Sequence, residues 1–268
     1  MLSLNNNPNH ISVDPLPGAA PWVGGKRNLA REIIPRIEAI PHACYAEPFI
    51  GMGGVFLRRR KRPEVEVIND RARDVATFFR VLQRHPDALL AELALSVTSR
   101  VEFERLRRLD PETLTDLERA ARFIYLQYCA YGGKPVNPTF GISPLRPSRF
   151  DAIKLEGVLR KLHRRLSSAY IECLDFETFL ARWDRPSTLF YLDPPYWHCE
   201  GYYGKGLFER ADFERLATAL KGLRGRFLMS LNDLPEVRET FAAFEFETVE
   251  TTYRVNGVKR VTEVIISG

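Results

Sequence analysis

An acid, two prolines and an aromatic residue stand side by side in the last third of the chain, at Asp193, Pro194, Pro195 and Tyr196. They follow an apolar run, residues 188–192, that is typical of a buried strand of a parallel sheet. Proline fixes the backbone and has no N–H to donate, so the two prolines end the strand and stiffen the segment. In open α/β sheets, ligands bind at this end of a strand. Asp193 and the Pro194 carbonyl would accept hydrogen bonds from the amino group of a flat heterocycle, and Tyr196 would stack on its ring.

The alternative is an ordinary surface turn after a core strand, because adjacent prolines are common in loops. Two further segments weigh against that alternative. The first is a glycine-rich turn between a predicted strand, residues 43–46, and a predicted helix, residues 53–61. Gly51 and Gly53 would let its backbone approach a bound molecule closely. Phe56 stands where the dinucleotide-binding motif has its third glycine, so the turn fits nucleoside cofactors in general.

Asn69 and Asp70 end the next apolar run, residues 65–68, and an acid in that position accepts hydrogen bonds from ribose hydroxyls. The second segment lies upstream, where Trp22 and Lys26 enclose two glycines ahead of an amphipathic helix. It offers an aromatic face, bare backbone and a cation. Taken alone, it would be an N-terminal turn with a solvated lysine.

Together these segments resemble the Dam-type, or D12 class, DNA adenine-N6 methyltransferases, from about residue 22 to residue 267. The resemblance rests on the order Trp-x-Gly-Gly-Lys, Glu-Pro-Phe-x-Gly-x-Gly, Asn-Asp and Asp-Pro-Pro-Tyr. Asp-Pro-Pro-Tyr also occurs in methyltransferases that act on RNA and on protein glutamine, whereas the amino-terminal segment and the motif order favour the DNA enzymes. The short glycine-rich sequence at residues 131–134 resembles prophage-borne members, so GATC recognition is not carried across.

The resemblance implies methyl transfer from S-adenosylmethionine to N6 of an adenine flipped out of duplex DNA, without a metal. Asp193, Pro194, Pro195 and Tyr196 would be the catalytic group. The implied cofactor-binding residues are Trp22, Lys26, Glu47, Phe49, Gly51, Gly53, Asp70, Asp175 and Phe176. For Asp175 a helix N-cap is a nearly equal alternative. Tyr203 and Trp197 would close the pocket or simply pack in a core.

Apolar runs alternate with amphipathic stretches at both ends of the chain, which predicts an α/β protein. The resemblance implies a Rossmann-like S-adenosylmethionine-dependent methyltransferase fold, whose mostly parallel seven-stranded sheet has an antiparallel edge strand. Asn256 and Gly257 predict a hairpin between the last two strands. Residues 20–85 and 169–268 would form the catalytic domain. Residues 86–168, mainly helical with a long loop, would be an inserted target-recognition region that binds DNA.

Positive charge is concentrated in that inserted region. The chain has 268 residues and a net charge of +5, and residues 131–168 carry eight basic residues against two acidic ones. This excess of +6 would attract a polyanion. Lys134, Arg146 and Arg149 are therefore candidate contacts to DNA bases or phosphates, the alternative being a solvated basic face. The other basic run, residues 58–62, is interpreted as solvated.

The remaining features favour a protein of the cytoplasm that is associated with the nucleoid. The amino terminus is polar and lacks an apolar targeting segment, and no stretch is long enough to span a membrane. Four scattered cysteines predict free thiols and neither disulfides nor a zinc site. Duplex DNA is the expected partner of a monomer or weak dimer. Competing interpretations are the same chemistry on RNA or a protein side chain, a nucleic-acid-binding relative without turnover, and a nicotinamide oxidoreductase.

Overall fold

The computed structural model describes residues 10–204, 206–254 and 258–268. The strands are β1 (Ile11–Ser12), β2 (Cys44–Glu47), β3 (Lys61–Arg62), β4 (Val65–Asn69), β5 (Tyr170–Glu172), β6 (Thr188–Leu192), β7 (Arg226–Asn232), β8 (Glu245–Arg254) and β9 (Val258–Ser267). The helices are α1 (Ala30–Ala39), α2 (Arg73–Arg84), α3 (Pro86–Ala94), α4 (Arg100–Arg108), α5 (Asp116–Cys129), α6 (Ala152–Leu166), α7 (Phe176–Trp183), α8 (Asp212–Lys221) and α9 (Pro235–Thr240). The hairpin turn predicted at Asn256 and Gly257 lies outside the described residues.

Seven strands form one sheet in the order β5, β4, β2, β6, β7, β9, β8. The first five strands of that order pair in parallel. Strand β9 is antiparallel to both of its neighbours, β7 and β8. The predicted α/β fold with a mostly parallel seven-stranded sheet is confirmed, and its reversed strand lies one place in from the edge. Strands β1 and β3 form a separate antiparallel pair.

The central strands are apolar throughout because helices cover both faces of the sheet. In β6, Leu189 and Tyr191 belong to a first core, while Phe190 and Leu192 belong to a second core. Side chains of α1 to α6 contribute to the first core, and side chains of α7 to α9 contribute to the second. None of the helices in the described part of the chain is both long enough and apolar enough to span a bilayer.

The order of the strands reverses between β2 and β6. From β2 the chain continues outward to β4 and β5, whereas β6 and β7 lie on the other side. The loops that follow β2 and β6 therefore diverge and leave a crevice at the carboxyl end of the sheet, where ligands bind in folds of this kind. Asp193 follows β6, the glycine-rich turn follows β2, and Asp70 follows β4.

The helix predicted for residues 53–61 is wrong. The segment forms turns and a single 3₁₀ turn, Phe56–Arg58, and then continues into β3. Two local features explain the difference. Gly53 has a φ of +71°, which interrupts a right-handed helix at its start. Beyond the 3₁₀ turn the backbone of Arg59 is extended.

The interpretation of residues 58–62 as a solvated basic run is wrong for Arg59, although Arg60 and Lys61 are exposed. The Arg59 side chain is only 1% exposed, forms an ion pair with Glu66, and lies 3.5 Å above the Tyr45 ring centre. Arg165, from α6, donates two further hydrogen bonds to Glu66, of 2.5 and 2.8 Å. Burial by itself would raise the pKa of Glu66, but the two guanidinium groups hold that pKa below its ordinary value.

Helix α5 connects the region predicted as an insertion to the rest of the protein. It begins with a capping box formed by Thr115 and Glu118, and its buried apolar residues belong to the first core, against α2. After α5, residues 131–150 contain one 3₁₀ turn and a bridge between Ala130 and Phe140, and are otherwise irregular. The division of the chain into a catalytic domain and an inserted region stays a prediction.

Candidate active site

Asp193 is held at the end of β6 by two neighbouring side chains. Its Oδ1 atom lies 2.8 Å from the Lys26 ammonium and accepts a hydrogen bond of 3.2 Å from the Ser230 hydroxyl. The Ser230 hydroxyl is in turn 2.9 Å from the hydroxyl of Tyr191. Oδ2 of Asp193 accepts no hydrogen bond from the described residues, so one carboxylate oxygen is fixed and the other is available to a ligand.

The loop that follows Asp193 is fastened to β7 and β9. The backbone N–H of Trp197 donates to Asn232 Oδ1 at 3.0 Å, and Asn232 Nδ2 donates to the Trp197 carbonyl at 3.1 Å. The Tyr196 hydroxyl donates to Glu263, which is 1% exposed. Pro194 is buried between these anchors. The loop is therefore fixed by the protein before any ligand binds.

The glycine-rich turn after β2 is shaped by Asp70. The backbone N–H groups of Gly51 and Ala72 donate to the two carboxylate oxygens of Asp70, each at 2.9 Å. Gly51 has a φ of +48°, and a Cβ atom at this position would lie 2.8 Å from Trp22 Nε1. Only glycine fits here, because both the backbone conformation and the indole exclude a side chain.

Asn69, the last residue of β4, joins the ends of three adjacent strands. Its Nδ2 donates to the carbonyl of Pro48, after β2, at 2.9 Å and to the carbonyl of Leu174, after β5, at 3.1 Å. Its Oδ1 accepts from the Leu174 backbone at 2.8 Å. This buried amide fixes the loops on one side of the crevice relative to each other.

A cavity of about 770 Å³ occupies the crevice, which is within the usual size of small-ligand sites. The residues predicted as site residues that lie on its wall are Trp22, Lys26, Phe49, Gly51, Asp70, Phe176, Asp193 and Pro195. Those that lie off the wall are Glu47, Gly53, Lys134, Arg146, Arg149, Asp175, Pro194 and Tyr196. The structure thus brings residues of all four sequence motifs together around a single space.

Three carboxyl groups around the crevice have raised pKa values. Burial raises the pKa of Asp193, and the Lys26 ammonium opposes the rise. Burial raises the pKa of Asp70 to about 6, against two backbone hydrogen bonds that favour its ionised form. Glu47 lies beneath the glycine-rich turn, 2% exposed, and accepts a hydrogen bond of 2.7 Å from Tyr45. Burial raises the pKa of Glu47 to about 8.

Asp175 and Phe176 occupy different environments. Asp175 is the N-cap of α7, accepts from the backbone of Glu177 at 3.0 Å, and forms ion pairs with Arg71 and Arg215. Phe176 lies on the cavity wall, where its ring packs 5.9 Å from that of Phe49 and 6.0 Å from that of Phe208. The N-cap is therefore present, and a cofactor contact by Asp175 stays a prediction.

The three predicted DNA contacts lie apart from the cavity wall. Lys134, Arg146 and Arg149 are all exposed, and none forms an ion pair with a described residue. Lys134 nevertheless adjoins the cavity, because the next two residues, Pro135 and Val136, line it. The basic segment, residues 131–150, therefore begins at the cavity and continues over the surface.

A comparison with protein families matches residues 22–255 to the D12 class N6 adenine-specific DNA methyltransferases. The chain belongs to this family. It is 27% identical over 265 residues to a DNA adenine methylase of Haemophilus influenzae, covering 90% of this chain and 88% of that protein. It is 26% identical over 257 residues to a DNA adenine methylase of Salmonella typhi, covering 85% of each. It is 22% identical over 237 residues to the type II methyltransferase M.CviBI of Paramecium bursaria Chlorella virus NC1A, covering 87% and 89%.

The predicted family and the predicted reaction, N6 methylation of adenine in DNA, are confirmed. Both Tyr203 and Trp197 were candidates for closing the pocket of this methyltransferase, and the structure separates them. Tyr203 lies on the cavity wall, 6.0 Å from Trp22 between ring centres. Trp197 is buried in the second core, 4.4 Å from the Phe213 ring centre.

Sequence reasoning about this methyltransferase missed the residues that support the site. Ser230 and Asn232 lie on β7 and Glu263 lies on β9, far from Asp193 in sequence. Gln127, buried in α5, donates hydrogen bonds of 2.7 Å to the carbonyls of Pro21 and Gly133. The sequence signal for that contact is a glutamine among the apolar residues of the helix, at Leu126, Gln127 and Tyr128.

Proposed function

We propose that the enzyme takes its methyl group from S-adenosylmethionine and transfers it to an adenine that has been flipped out of duplex DNA. One observation supports this most strongly. The glycine-rich turn with Asp70 and the carboxylate of Asp193 lie on the walls of the same cavity. A cofactor held at the first and a base held at the second would meet without further rearrangement of the sheet.

The residues on the wall fit a nucleoside cofactor. Gly51 and Trp22 lie on the wall with the indole packed close to the glycine, and Phe49 and Phe176 form an apolar wall. Asp70 keeps a carboxylate at the end of β4, where a ribose hydroxyl can donate to it. When bound, S-adenosylmethionine supplies an electrophilic methyl group. Its assignment as the donor rests on the family and on this fit.

Asp193 and the Pro194 carbonyl have the central role in the proposed mechanism. The exocyclic amine of adenine is a poor nucleophile because its lone pair is delocalised into the ring. Hydrogen bonds from the amine to Asp193 Oδ2 and to the Pro194 carbonyl would localise that lone pair. As positive charge develops on the nitrogen, both acceptors bind it more tightly than in the ground state. The carboxylate then accepts the proton that the cationic amine loses.

Tyr196 would hold the base itself. Flipping an adenine out of a duplex costs a few kcal/mol. Stacking on an aromatic ring contributes roughly 1–3 kcal/mol per base and would offset part of that cost. The hydrogen bond from Tyr196 to Glu263 fixes the ring before the base arrives.

Residues 86–168 would supply the surface that reads DNA. Lys134, Arg146 and Arg149 are exposed cations on a segment that starts beside the cavity. Phosphate contacts by such residues would place the duplex with its target base over the crevice. The identity of the bases that flank the target depends on this segment.

The test is transfer of labelled methyl groups from S-adenosylmethionine into unmethylated genomic DNA, followed by sequencing that reports N6-methyladenine with its flanking bases. Methylated adenines in one recurring context are the expected result. Methylation in many contexts would agree with the mechanism and would mean that residues 131–150 accept many different bases beside the target adenine. The control is the same DNA after methylation by the enzyme with unlabelled cofactor, which should accept no further label. A lack of label in unmethylated DNA would overturn the proposal.

A further inference from the structure

The Lys26 side chain, besides lying on the cavity wall, contacts the segment predicted to be catalytic. Its ammonium contacts Asp193 Oδ1 at 2.8 Å, donates to the Gly24 carbonyl at 3.1 Å, and lies 4.1 Å above the centre of the Tyr196 ring. The side chain is only 4% exposed. A buried ammonium is costly unless it is paired, and these three contacts compensate for its burial.

These contacts are the ones proposed for the target adenine. The adenine amine would donate to Asp193 while the base lies on Tyr196, and Lys26 already combines an N–H donor to Asp193 with a position over that ring. Stacked aromatic groups approach to about 3.5–4.0 Å between carbon atoms. A nitrogen 4.1 Å from the ring centre therefore occupies the layer that a stacked base requires.

Other parts of the Tyr196 side chain are engaged with the protein. Tyr196 packs against the second core, and its hydroxyl donates to Glu263. Tyr196 does not itself line the cavity, whereas Lys26 does, so the Lys26 ammonium lies between the cavity and the ring face that it covers. The ammonium and a stacked adenine exclude each other there.

We propose that Lys26 is a gate for the target base, which occupies the amine-binding position until a flipped adenine displaces it. The inference rests on the proposed roles of Asp193 and Tyr196. In the DNA-free enzyme the ammonium keeps the Asp193 carboxylate paired. The lysine stem is flexible and the cavity adjoins it, so the ammonium can withdraw as the amine takes over its hydrogen bond.

The gate lowers the affinity of the enzyme for an unpaired adenine. A site that is open for a fraction of the time binds its ligand more weakly by that fraction. Removing the ammonium while keeping a side chain of similar length, as in Lys26→Met, should strengthen adenine binding. A residue that only positions Asp193 would instead lower the rate of methylation and leave the affinity for the base unchanged.

The test observes the Lys26 ammonium by NMR in protein with ¹⁵N at the lysine Nζ atoms, with Lys26→Arg identifying its signal. A short oligodeoxyadenylate presents unpaired adenines and requires neither a recognition sequence nor turnover. An oligodeoxythymidylate of the same length carries the same backbone charge and is the control. We expect oligodeoxyadenylate, and not oligodeoxythymidylate, to shift the signal and speed the exchange of its protons with water.

Affinity gives a second measurement of the gate. Lys26→Met should bind oligodeoxyadenylate about tenfold more tightly than the wild type does, if the gate is open about a tenth of the time. Lys221→Met removes one exposed cation at the end of α8 and should not raise that affinity. A Lys26 signal that stays unchanged while oligodeoxyadenylate saturates the protein would overturn the gate, even if DNA is methylated. A displaced signal in a protein that methylates no DNA would instead overturn the proposed function.

Discussion

The crevice at the strand ends and the basic segment at residues 131–150 use charge in opposite ways. In the crevice, Asp193 is paired with Lys26, and Asp70 accepts two backbone hydrogen bonds. On the segment, the three candidate DNA contacts are exposed and form no ion pair with a described residue. Chemistry on a small amine needs groups that are fixed before the substrate arrives, whereas attraction of a polyanion needs cations that stay accessible. The two regions should therefore respond differently to substitution.

The largest expected effect is in the crevice, where the charged groups are fixed. Asp193→Asn keeps the shape of the side chain but removes the charge that would stabilise a cationic amine. We expect the rate of methylation to fall by at least about 10²–10³-fold, the range for loss of one preorganised electrostatic contact. Cofactor binding, measured by calorimetry, should stay within a few-fold because Asp70 and Gly51 are unchanged.

Asp233→Asn is the matched control for this variant. Asp233 follows β7, forms hydrogen bonds of 2.7 and 3.0 Å with Arg238, and does not line the cavity. It should methylate DNA at the wild-type rate. Normal turnover by Asp193→Asn would remove Asp193 from the mechanism, and equal losses in both variants would indicate a general structural effect.

The next largest effect is expected for DNA binding, at the exposed cations of the basic segment. Reversing the charges of Arg146 and Arg149 to Glu should weaken DNA binding about ten- to hundredfold at low salt. The slope of log affinity against log salt should decrease in magnitude by about 2, because each phosphate contact contributes about 0.9. Fluorescence anisotropy over a series of salt concentrations measures both quantities.

Arg224 and Arg226 provide the control for charge reversal. Both are exposed and lie at the amino-terminal end of β7, opposite the cavity. Their reversal to Glu makes the same change in net charge without touching the basic segment. If the two double variants lose affinity equally, the DNA surface is set by overall charge, and the contrast between the two regions fails.

The sequence allowed the positions of Asp193, Asp70 and Gly51 to be predicted, because each follows a recognisable strand and parallel strands end at one edge of the sheet. It did not allow the pairing of Asp193 with Lys26 to be predicted. That contact joins residues 167 positions apart, by subtraction of their numbers, and no local pattern encodes it.

Errors arose where tertiary packing outweighed a local signal. Residues 53–61 have a plausible helical sequence, but Gly53 adopts a left-handed backbone and the segment ends in the extended β3 strand. Arg59 belongs to a run that looks solvated, yet Glu66 compensates its charge inside the protein. Buried charge pairs of this kind are hard to foresee, because each partner alone is typical of a surface.

Gly51→Ala tests how rigid the fixed region is. The added Cβ would lie 2.8 Å from Trp22 Nε1, and φ at +48° is unfavourable for alanine. Strain at such a position costs about 1–3 kcal/mol, so we expect about a tenfold loss of affinity for S-adenosylmethionine. Gly157→Ala is the control, because a Cβ there meets no atom within 4 Å. Unchanged affinity in Gly51→Ala would mean that the turn adapts, contrary to the fixed geometry of the crevice.

The last expected effect concerns stability and not binding or turnover, at Glu47 beneath the crevice. Its pKa is raised to about 8 in the folded protein from 4.5, so between these values the folded state keeps a proton that the unfolded state releases. The stability that this proton provides is fully present below about pH 4.5 and is lost as the pH rises through about 8. Glu47→Gln cannot ionise, and its amide oxygen can still accept the hydrogen bond of Tyr45.

The free energy of unfolding of Glu47→Gln should therefore rise relative to the wild type between pH 5 and about pH 8.5, by up to a few kcal/mol. Urea unfolding of the cofactor-free proteins at several pH values measures this difference. The titration of Asp70, whose pKa is about 6, occurs in both proteins and cancels from it. Arg146→Gln, on the accessible segment, should not reproduce this dependence on pH, because Arg146 is exposed and forms no ion pair with a described residue. If the difference in unfolding free energy between Glu47→Gln and the wild type does not change with pH either, Glu47 is ionised in the folded protein. The base of the crevice would then be as well solvated as residues 131–150.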